Sequence, residues 1–459
     1  MKEKITQVIE KYKSQCDYFE VRIENFDEQK IMVSGQEVES INNKIELGGN
    51  VRALVNGGWS FISFNNLDNL EEYVENAIAQ AKLVGKSQSM LAKVEPVIDE
   101  VSVDLKMDPR SISLDEKIKL FKHYTQIIHD FHPEIKLGRV MYFDKASDLI
   151  FANSEGTYIK QHKVDIGSNI YCISARGNDT QTQFVGVGSN NDYSVMQELD
   201  ERIKGVCKVA VEILDAPKIK GGKYEVIINQ DLAGVFIHEA FGHLSEGDNV
   251  YENERLREIL KMGEVFGSPN LNVYDSGIEG NNRGDLVYDD EGIKTERTYL
   301  IKSGKLVGRL HSRETAGKMS ERPTGNARAI NYKFEPIPRM RVTCIQGGTS
   351  TFDDMLKDIE LGVYAVGAIG GETTHEMFTF SAMHAFMIRD GKISELIRDV
   401  NLSGNVFDTL KNIIAIGNDF DYCNFGGGCG KAGQWPLPTT EGSPHIKIKD
   451  VIIGGEADE

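Results

Sequence analysis

His238, Glu239 and His243 lie within six residues of one another in "DLAGVFIHEAFGHLSEGD", residues 231–248. Two imidazoles and a carboxylate in an H-E-x-x-x-H pattern point to hydrolysis at a metal ion. The familiar zinc-hydrolase spacing is H-E-x-x-H, with histidines four apart. Here they are five apart. A regular helix turns about 100° per residue, so such residues point about 140° away from each other. Two distortions would bring them to one ion: a π-bulge, or a helix break just before His243. Gly242 permits either.

A catalytic zinc takes three protein ligands and keeps one position open. It also needs a base to take the proton of the attacking water, and Glu239 suits that part. The third ligand must come from elsewhere. The other histidines are His123, His129, His132, His162, His311, His375, His384 and His445. The first three are expected on the surface of an amphipathic helix or just beyond it. The pair His375-Glu376 has no second histidine four or five residues on and reads as a decoy. Cys429 is the better candidate. It stands among five glycines in "FGGGCGKAGQ", where backbone can approach another group closely. A buried free cysteine is also a good small hydrophobe, so spacing alone leaves both readings open.

Other charged residues have weaker signals. Glu246 and Asp248 are candidates to orient His243. Lys431 can stabilise a thiolate at Cys429, with a solvated lysine as the ordinary alternative. Asp289, Asp290 and Glu291 are expected in a solvated turn, the alternatives being a cavity lining or a second cation site. Arg339 and Arg341 are expected in structural ion pairs, the alternative being contact with a peptide carboxylate.

The elements that must position these groups follow from periodicity. Apolar residues at helical spacing predict helices in "LDNLEEYVENAIAQAK", with Asp68 as N-cap, and in "SLDEKIKLFKHYTQIIHD", where Ser113 and Glu116 form a capping box. A third helix is predicted near 196–214. Segments such as "YFEVRIENF", "WSFISF" and "KVDIGSNIYCISAR" predict antiparallel strands. "KYEVIINQ" is a predicted strand leading into the histidine helix. Hairpins are predicted around Gly292 and Gly304, and at Asp390-Gly391. The expected class is α+β: an N-terminal domain of antiparallel strands and amphipathic helices over 1–217, and a β-rich domain carrying the metal-binding helix over 218–459. The first domain is open to a further split near 86–112, and the tail "GGEADE" is expected to fray.

The chain has 459 residues, 40% hydrophobic and 27% charged, with a net charge of −18. That excess of acid argues against nucleic acid as a partner. No signal peptide or transmembrane run is read, and six scattered cysteines form no disulfide pattern. A cytoplasmic protein is expected.

"HEAFGHLSEGD" and "GGGCGKAGQ" together resemble the TldD branch of the TldD/PmbA metalloprotease family. "VRALVNGGWSFISFNNLD", "YDDEGIKTERTYLIKSGKLVGRLHSRETA", "RPTGNARA", "PIPRMRVT" and "FTFSAMHAFMIRDGKISELIRDVNLSGN" are similar to further blocks of that family. The resemblance runs from about 18 to 452 and is strongest after 220. It implies one zinc per chain held by His238, His243 and Cys429, with Glu239 as catalytic base. It also implies hydrolysis of short or unfolded peptides inside a dimeric chamber. The partner would be a second copy, or a paralogue lacking the metal motif. Two other functions are weighed: a peptide-binding regulatory module with a structural metal, and a metal-dependent hydrolase of small amides. A structural site has no use for Glu239 and normally has four protein ligands, which favours the peptidase.

Overall fold

A computed structural model describes residues 1–85, 89–374 and 376–454. The fold is α+β, with mainly antiparallel sheets. The N-terminal sheet contains β1 (Tyr18–Ser34), β2 (Glu37–Val55), β3 (Gly58–Phe64), β4 (Ile98–Val101), β5 (Ile135–Asn153), β6 (Tyr158–Arg176) and β7 (Asp179–Ser189). Its order is β3-β2-β1-β5-β6-β4, with β7 also on β6; only β4–β6 is parallel. The strands are longer than their apolar segments suggest. β2 begins in "EVESINN", which has no strand-like alternation, because that stretch pairs with β1 from Ser34 onward.

Side-chain alternation gives this sheet two different faces. Phe19, Val21 and Ile23 pack under α1 (Lys2–Tyr12) and α2 (Leu70–Val84). Farther along, Ile31 and Val33 join the core beneath α3 (Leu114–Phe131) and α4 (Asp200–Glu212). Ser113 and Glu116 form the expected capping box on α3. On α2 the N-cap position is Asn69 rather than Asp68, because the chain becomes helical one residue later.

The opposite face carries Glu20, Arg22, Glu24, Asn50 and Arg52, all buried. These meet the C-terminal half. Arg22 pairs with Asp290 at 3.0 Å and Arg52 with Glu291 at 2.5 Å. Asp289 accepts the backbone N–H groups of Glu291, Ile293 and Ala327 at 2.8–3.0 Å. The expectation of a solvated turn at these three acids is therefore wrong. Asp290 and Glu291 are buried because the facing strands supply arginines, and Asp289 because backbone N–H groups satisfy it; no local pattern reveals either. The predicted hairpin at Gly292 reduces to a single bridge between Tyr288 and Lys294.

In the C-terminal half, β8 (Gly222–Ile228) enters a ring of strands. It lies between Leu361–Thr374 and Ile446–Gly454. Asn401–Asn405 and Met377–Arg389 continue the order, and Met377–Arg389 pairs back onto Leu361–Thr374. The ring is thus a closed five-stranded barrel. Asp390 and Gly391 make the expected tight turn, with φ of 47° and 72°. A second sheet includes Val342–Ile345 and Thr440–Ser443. The helix α5 (Gln230–Ile237) packs between the two, with Phe236 against Phe378 and Phe380 of the barrel. Among the described residues no helix is long and apolar enough to cross a membrane. His375 and the tail from 455 lie outside the described residues.

The Arg52 contact yields a test. Arg52→Met leaves Glu20 and Glu291 buried without their cation and should cost about 3–5 kcal/mol. Adding Glu291→Gln should recover part of that loss. Chemical denaturation of the three proteins measures it, and a change below about 1 kcal/mol for the single variant would contradict the assignment.

Candidate metal centre

Asn229 begins the site. Its side-chain oxygen accepts the Leu232 N–H at 3.1 Å, capping α5, and the Gly367 N–H at 2.9 Å, tying the helix to the barrel. The helix then widens. Residues His238–Gly242 form a π turn, in which the His243 N–H reaches the His238 carbonyl five residues back. A short 3₁₀ turn, His243–Ser245, follows. Of the two distortions read from the spacing, the π turn is the one present. The extra residue brings the two imidazoles to a centroid separation of 5.2 Å, nearly perpendicular. Gly242 is needed for packing as well: a Cβ there would stand 2.0 Å from the Met340 sulfur.

Cys429 completes the group. One donor atom from each of His238, His243 and Cys429 lies within 4.8 Å of the others. The Cys429 Sγ is 3.3 Å from His243 Nε2. Zinc–nitrogen bonds of about 2.0 Å and zinc–sulfur bonds of about 2.3 Å place tetrahedral N and S donors about 3.5 Å apart. The donor set and its spacing therefore fit a zinc ion with a fourth position open.

Both imidazoles are held from behind. His243 Nδ1 is 3.1 Å from Glu246, and His238 Nδ1 is 3.0 Å from Glu441. Each ring therefore has one nitrogen engaged by a carboxylate and Nε2 left for an ion, an arrangement common to metal-binding histidines. Glu246 is the orienting residue foreseen in the sequence. Asp248 instead pairs with Lys431 at 2.7 Å. Lys431 also reaches Glu246 at 2.9 Å and is largely buried, so it is not a solvated lysine. Glu441 carried no signal, being 203 positions beyond His238 in an unremarkable "TTEGS". Its approach depends on Gly234, one turn before His238, where a Cβ would meet the Glu441 Cβ at 2.8 Å.

The glycine-rich loop is fixed from several sides. Arg339 donates to the Cys429 carbonyl at 2.8 Å, and the Arg341 Nε to the Gly325 carbonyl at 2.7 Å. Both arginines bind backbone carbonyls, where ion pairs were expected. Arg283 binds the Gly427 carbonyl at 2.5 Å and the Phe425 carbonyl, and pairs with Asp165 of β6 at 2.7 Å. The Gly426 N–H donates to Asn169, also of β6, at 2.9 Å. A Cβ on Gly426 would lie 2.6 Å from Ser168 backbone. The glycines thus let the cysteine loop lie directly on the N-terminal sheet. His375 cannot be compared; Glu376 pairs with Arg255 at 2.7 Å.

Charge is tightly balanced here. Burial raises the Cys429 thiol pKa, but the two imidazoles outweigh it and bring it to about 5. Burial lowers the His243 pKa, but Glu246 and the thiolate outweigh that and raise it to about 10. His238 behaves similarly beside Cys429 and Glu441 and is raised well above its ordinary value. Without an ion these side chains form a thiolate–imidazolium cluster, so a metal replaces protons on binding. Glu239 meets this cluster only at its edge: its Oε2 is 4.0 Å from His243 Nε2. Burial raises its pKa from the usual carboxylate value, which makes it a better proton acceptor. A cavity of about 790 Å³ opens over these groups, lined also by residues 369–373 and by Trp435.

Family models for the PmbA/TldA metallopeptidases match three stretches: domain 1 at 19–81, the central domain at 108–216 and the C-terminal domain at 221–455. A metalloprotease of Synechocystis sp. is 42% identical, over 99% of this chain and 98% of its own. A zinc metalloprotease TldD homolog of Saccharolobus solfataricus is 26% identical, over 96% of this chain and 97% of its own. The crystal structure of TldE from Thermococcus kodakarensis superposes with a TM-score of 0.79 at 17% identity, covering 98% of this chain and all of that one; it supports the fold alone.

Two outcomes follow for the metal-free protein and its metal affinity. Cys429 should react with iodoacetamide from about pH 5 upward, since its thiol pKa is lowered to about 5. Cys344 and Cys423, whose thiols burial raises, should stay unmodified at pH 7, and zinc should protect Cys429. Peptide mass spectrometry reads all three sites, and equal labelling would contradict the charge balance. Glu441→Gln should weaken zinc binding by about 10- to 100-fold, measured by competition with a chromophoric chelator; unchanged affinity would remove Glu441 from this part.

Proposed function

The chain belongs to the TldD/PmbA metallopeptidase family, and from that premise we propose a zinc-dependent peptidase with His238, His243 and Cys429 as ligands and Glu239 as catalytic base. The observation that carries this reading is the meeting of those three donors beside a carboxylate at the edge of the cluster. When bound, zinc polarises a peptide carbonyl and lowers the pKa of water. Glu239 accepts the proton of the attacking water and then delivers it to the leaving nitrogen. Glu246 and Glu441 hold the imidazoles in the tautomer that leaves Nε2 free. Lys431 keeps Glu246 charged: burial raises that carboxyl, and the charges of His243 and Lys431 outweigh burial and lower it to about 2.

An extended peptide is the substrate that suits the cavity. The strand Leu361–Thr374 pairs with β8 only at Gly362, Val363, Tyr364 and Ala365. Beyond these its outer edge has no strand partner among the described residues, and residues 369–373 line the cavity. A peptide added to that edge would be bound through its backbone, whatever its sequence. A homodimer or a heterodimer with a paralogue lacking the metal motif would enclose the chamber. The part of β2 beyond its pairing with β3 supports such an assembly: that edge has no strand partner among the described residues, and it exposes Ile41, Ile45 and Leu47.

The test uses two variants. Glu239→Ala should keep its zinc and lose hydrolysis of an unstructured peptide by about 10²- to 10⁴-fold. Cys429→Ser should lose zinc by elemental analysis. Wild-type cleavage by the first variant, or a full complement of zinc in the second, would refute the corresponding assignment.

A further inference from the structure

The cavity is not chemically neutral toward its substrate. Apart from the two imidazoles of the candidate metal centre, the described residues give it two basic side chains, and both are already engaged. Lys431 contacts Glu246, Asp248 and the Pro338 carbonyl. Arg283 makes a two-pronged pair with Asp165 and holds the Phe425 and Gly427 carbonyls. Neither is available to an acidic substrate side chain. The lining also carries Glu239, Glu372 and Glu441, of which Glu441 is paired with His238. Burying a further carboxylate there incurs desolvation.

Against this background two large apolar side chains are exposed in the same cavity. Trp435 is 68% exposed and Ile369 is 57% exposed. They come from different elements. Ile369 stands at the free edge of Leu361–Thr374. Trp435 stands on a narrow hairpin, Cys429–Lys431 with Gln434–Leu437, whose turn residues Ala432 and Gly433 have φ of 49° and 74°. The indole lies over Gly430, where a Cβ would come within 3.1 Å of the ring. The residue beside the cysteine must therefore be small for the indole to lie there. The hairpin thus carries Cys429 and an exposed aromatic side chain on one short ribbon.

We propose that Trp435 and Ile369 form an apolar subsite that selects a large apolar side chain next to the bond to be cut. The proposal rests on the peptidase reading above and adds a preference to backbone binding. Its occupant is a substrate side chain. Cover by such a chain removes the exposed indole and sec-butyl surface from water, a gain that alanine gives only in part and aspartate reverses.

The experiment uses full-length, zinc-loaded protein and alanine-based hexapeptides. Each peptide carries one Phe or one Asp at a defined position, with the all-alanine peptide as reference. Cleavage sites are mapped by mass spectrometry and kcat/KM is measured for each. Phe at one position beside the cut bond should exceed Ala by about tenfold or more, and Asp there should fall below Ala. In Trp435→Ala/Ile369→Ala the Phe-to-Ala ratio should fall to within about twofold. Trp435→Phe should retain most of it. A ratio is insensitive to any loss of folded protein. An unchanged ratio in the double variant, or no Phe preference in the wild type, would overturn the subsite. A smaller assembly by light scattering with the ratio intact would also overturn it, and would assign the patch to a contact between copies. Calorimetry in a Glu239→Ala background separates the two readings. Tighter binding of the Phe peptide, lost on Trp435→Ala/Ile369→Ala, supports the subsite even if the wild type cleaves nothing, in which case the peptidase reading alone falls. Equal binding of both peptides overturns the subsite.

Discussion

Two imidazoles five residues apart face one point only if the helix between them accommodates an extra residue, and the rest of the centre is arranged around that insertion. A π turn interrupts the regular hydrogen-bond ladder, so the surrounding packing must hold it. Met340 presses against Gly242 on one side. Phe236, Ala240 and Phe241 bury the helix in the C-terminal core. Asn229 anchors its start to the barrel. Glu441 and Glu246 then fix the two rings once the backbone has brought them together. The two helix glycines act in complementary ways: Gly242 admits a neighbour's side chain, and Gly234 admits a neighbour's strand.

The same logic extends to Cys429. The Cys429 thiolate and the two imidazoles stabilise each other's charged forms, with Glu246 and Glu441 supporting the imidazoles from behind, and the protein must keep the cluster free of competing partners. Arg339 and Arg283 do so by binding the loop's carbonyls and leaving its sulfur alone. Lys431 is drawn toward Glu246 and Asp248, and not toward the neighbouring sulfur. Arginine suits the first task because its planar fork can bind two carbonyls, or a carboxylate and a carbonyl, at once.

Much of this was legible in the sequence, and the limits have physical reasons. The helix faces, the capping box at Ser113 and the tight turn at Asp390-Gly391 depend on local chemistry, which a short window contains. The awkward histidine spacing also carried its own solution, since a glycine stood where distortion was needed. Cys429 was visible from its glycine setting and from the family resemblance, but the residues alone left it open. What a window cannot contain is a partner hundreds of positions away. Glu441, Asp165 and Arg283 gave no sign, since a lone charged residue looks the same whether solvated or buried against its opposite. For that reason Asp289, Asp290, Glu291 and Lys431 were misjudged as solvated. The length of β2 was missed because its first residues are held by pairing with β1 and not by an apolar face.

The clamp on the cysteine loop also has a consequence in time. The N-terminal sheet is synthesised before the two histidines, and the cysteine after both. Asp165 and Asn169 can grip the loop only after β6 has formed and the last segment has returned to it. A chain still on the ribosome therefore holds two histidines and a base but no complete centre, and domains that fold first do so without one. Assembly order itself keeps the three donors apart until the last of these segments has returned to the sheet.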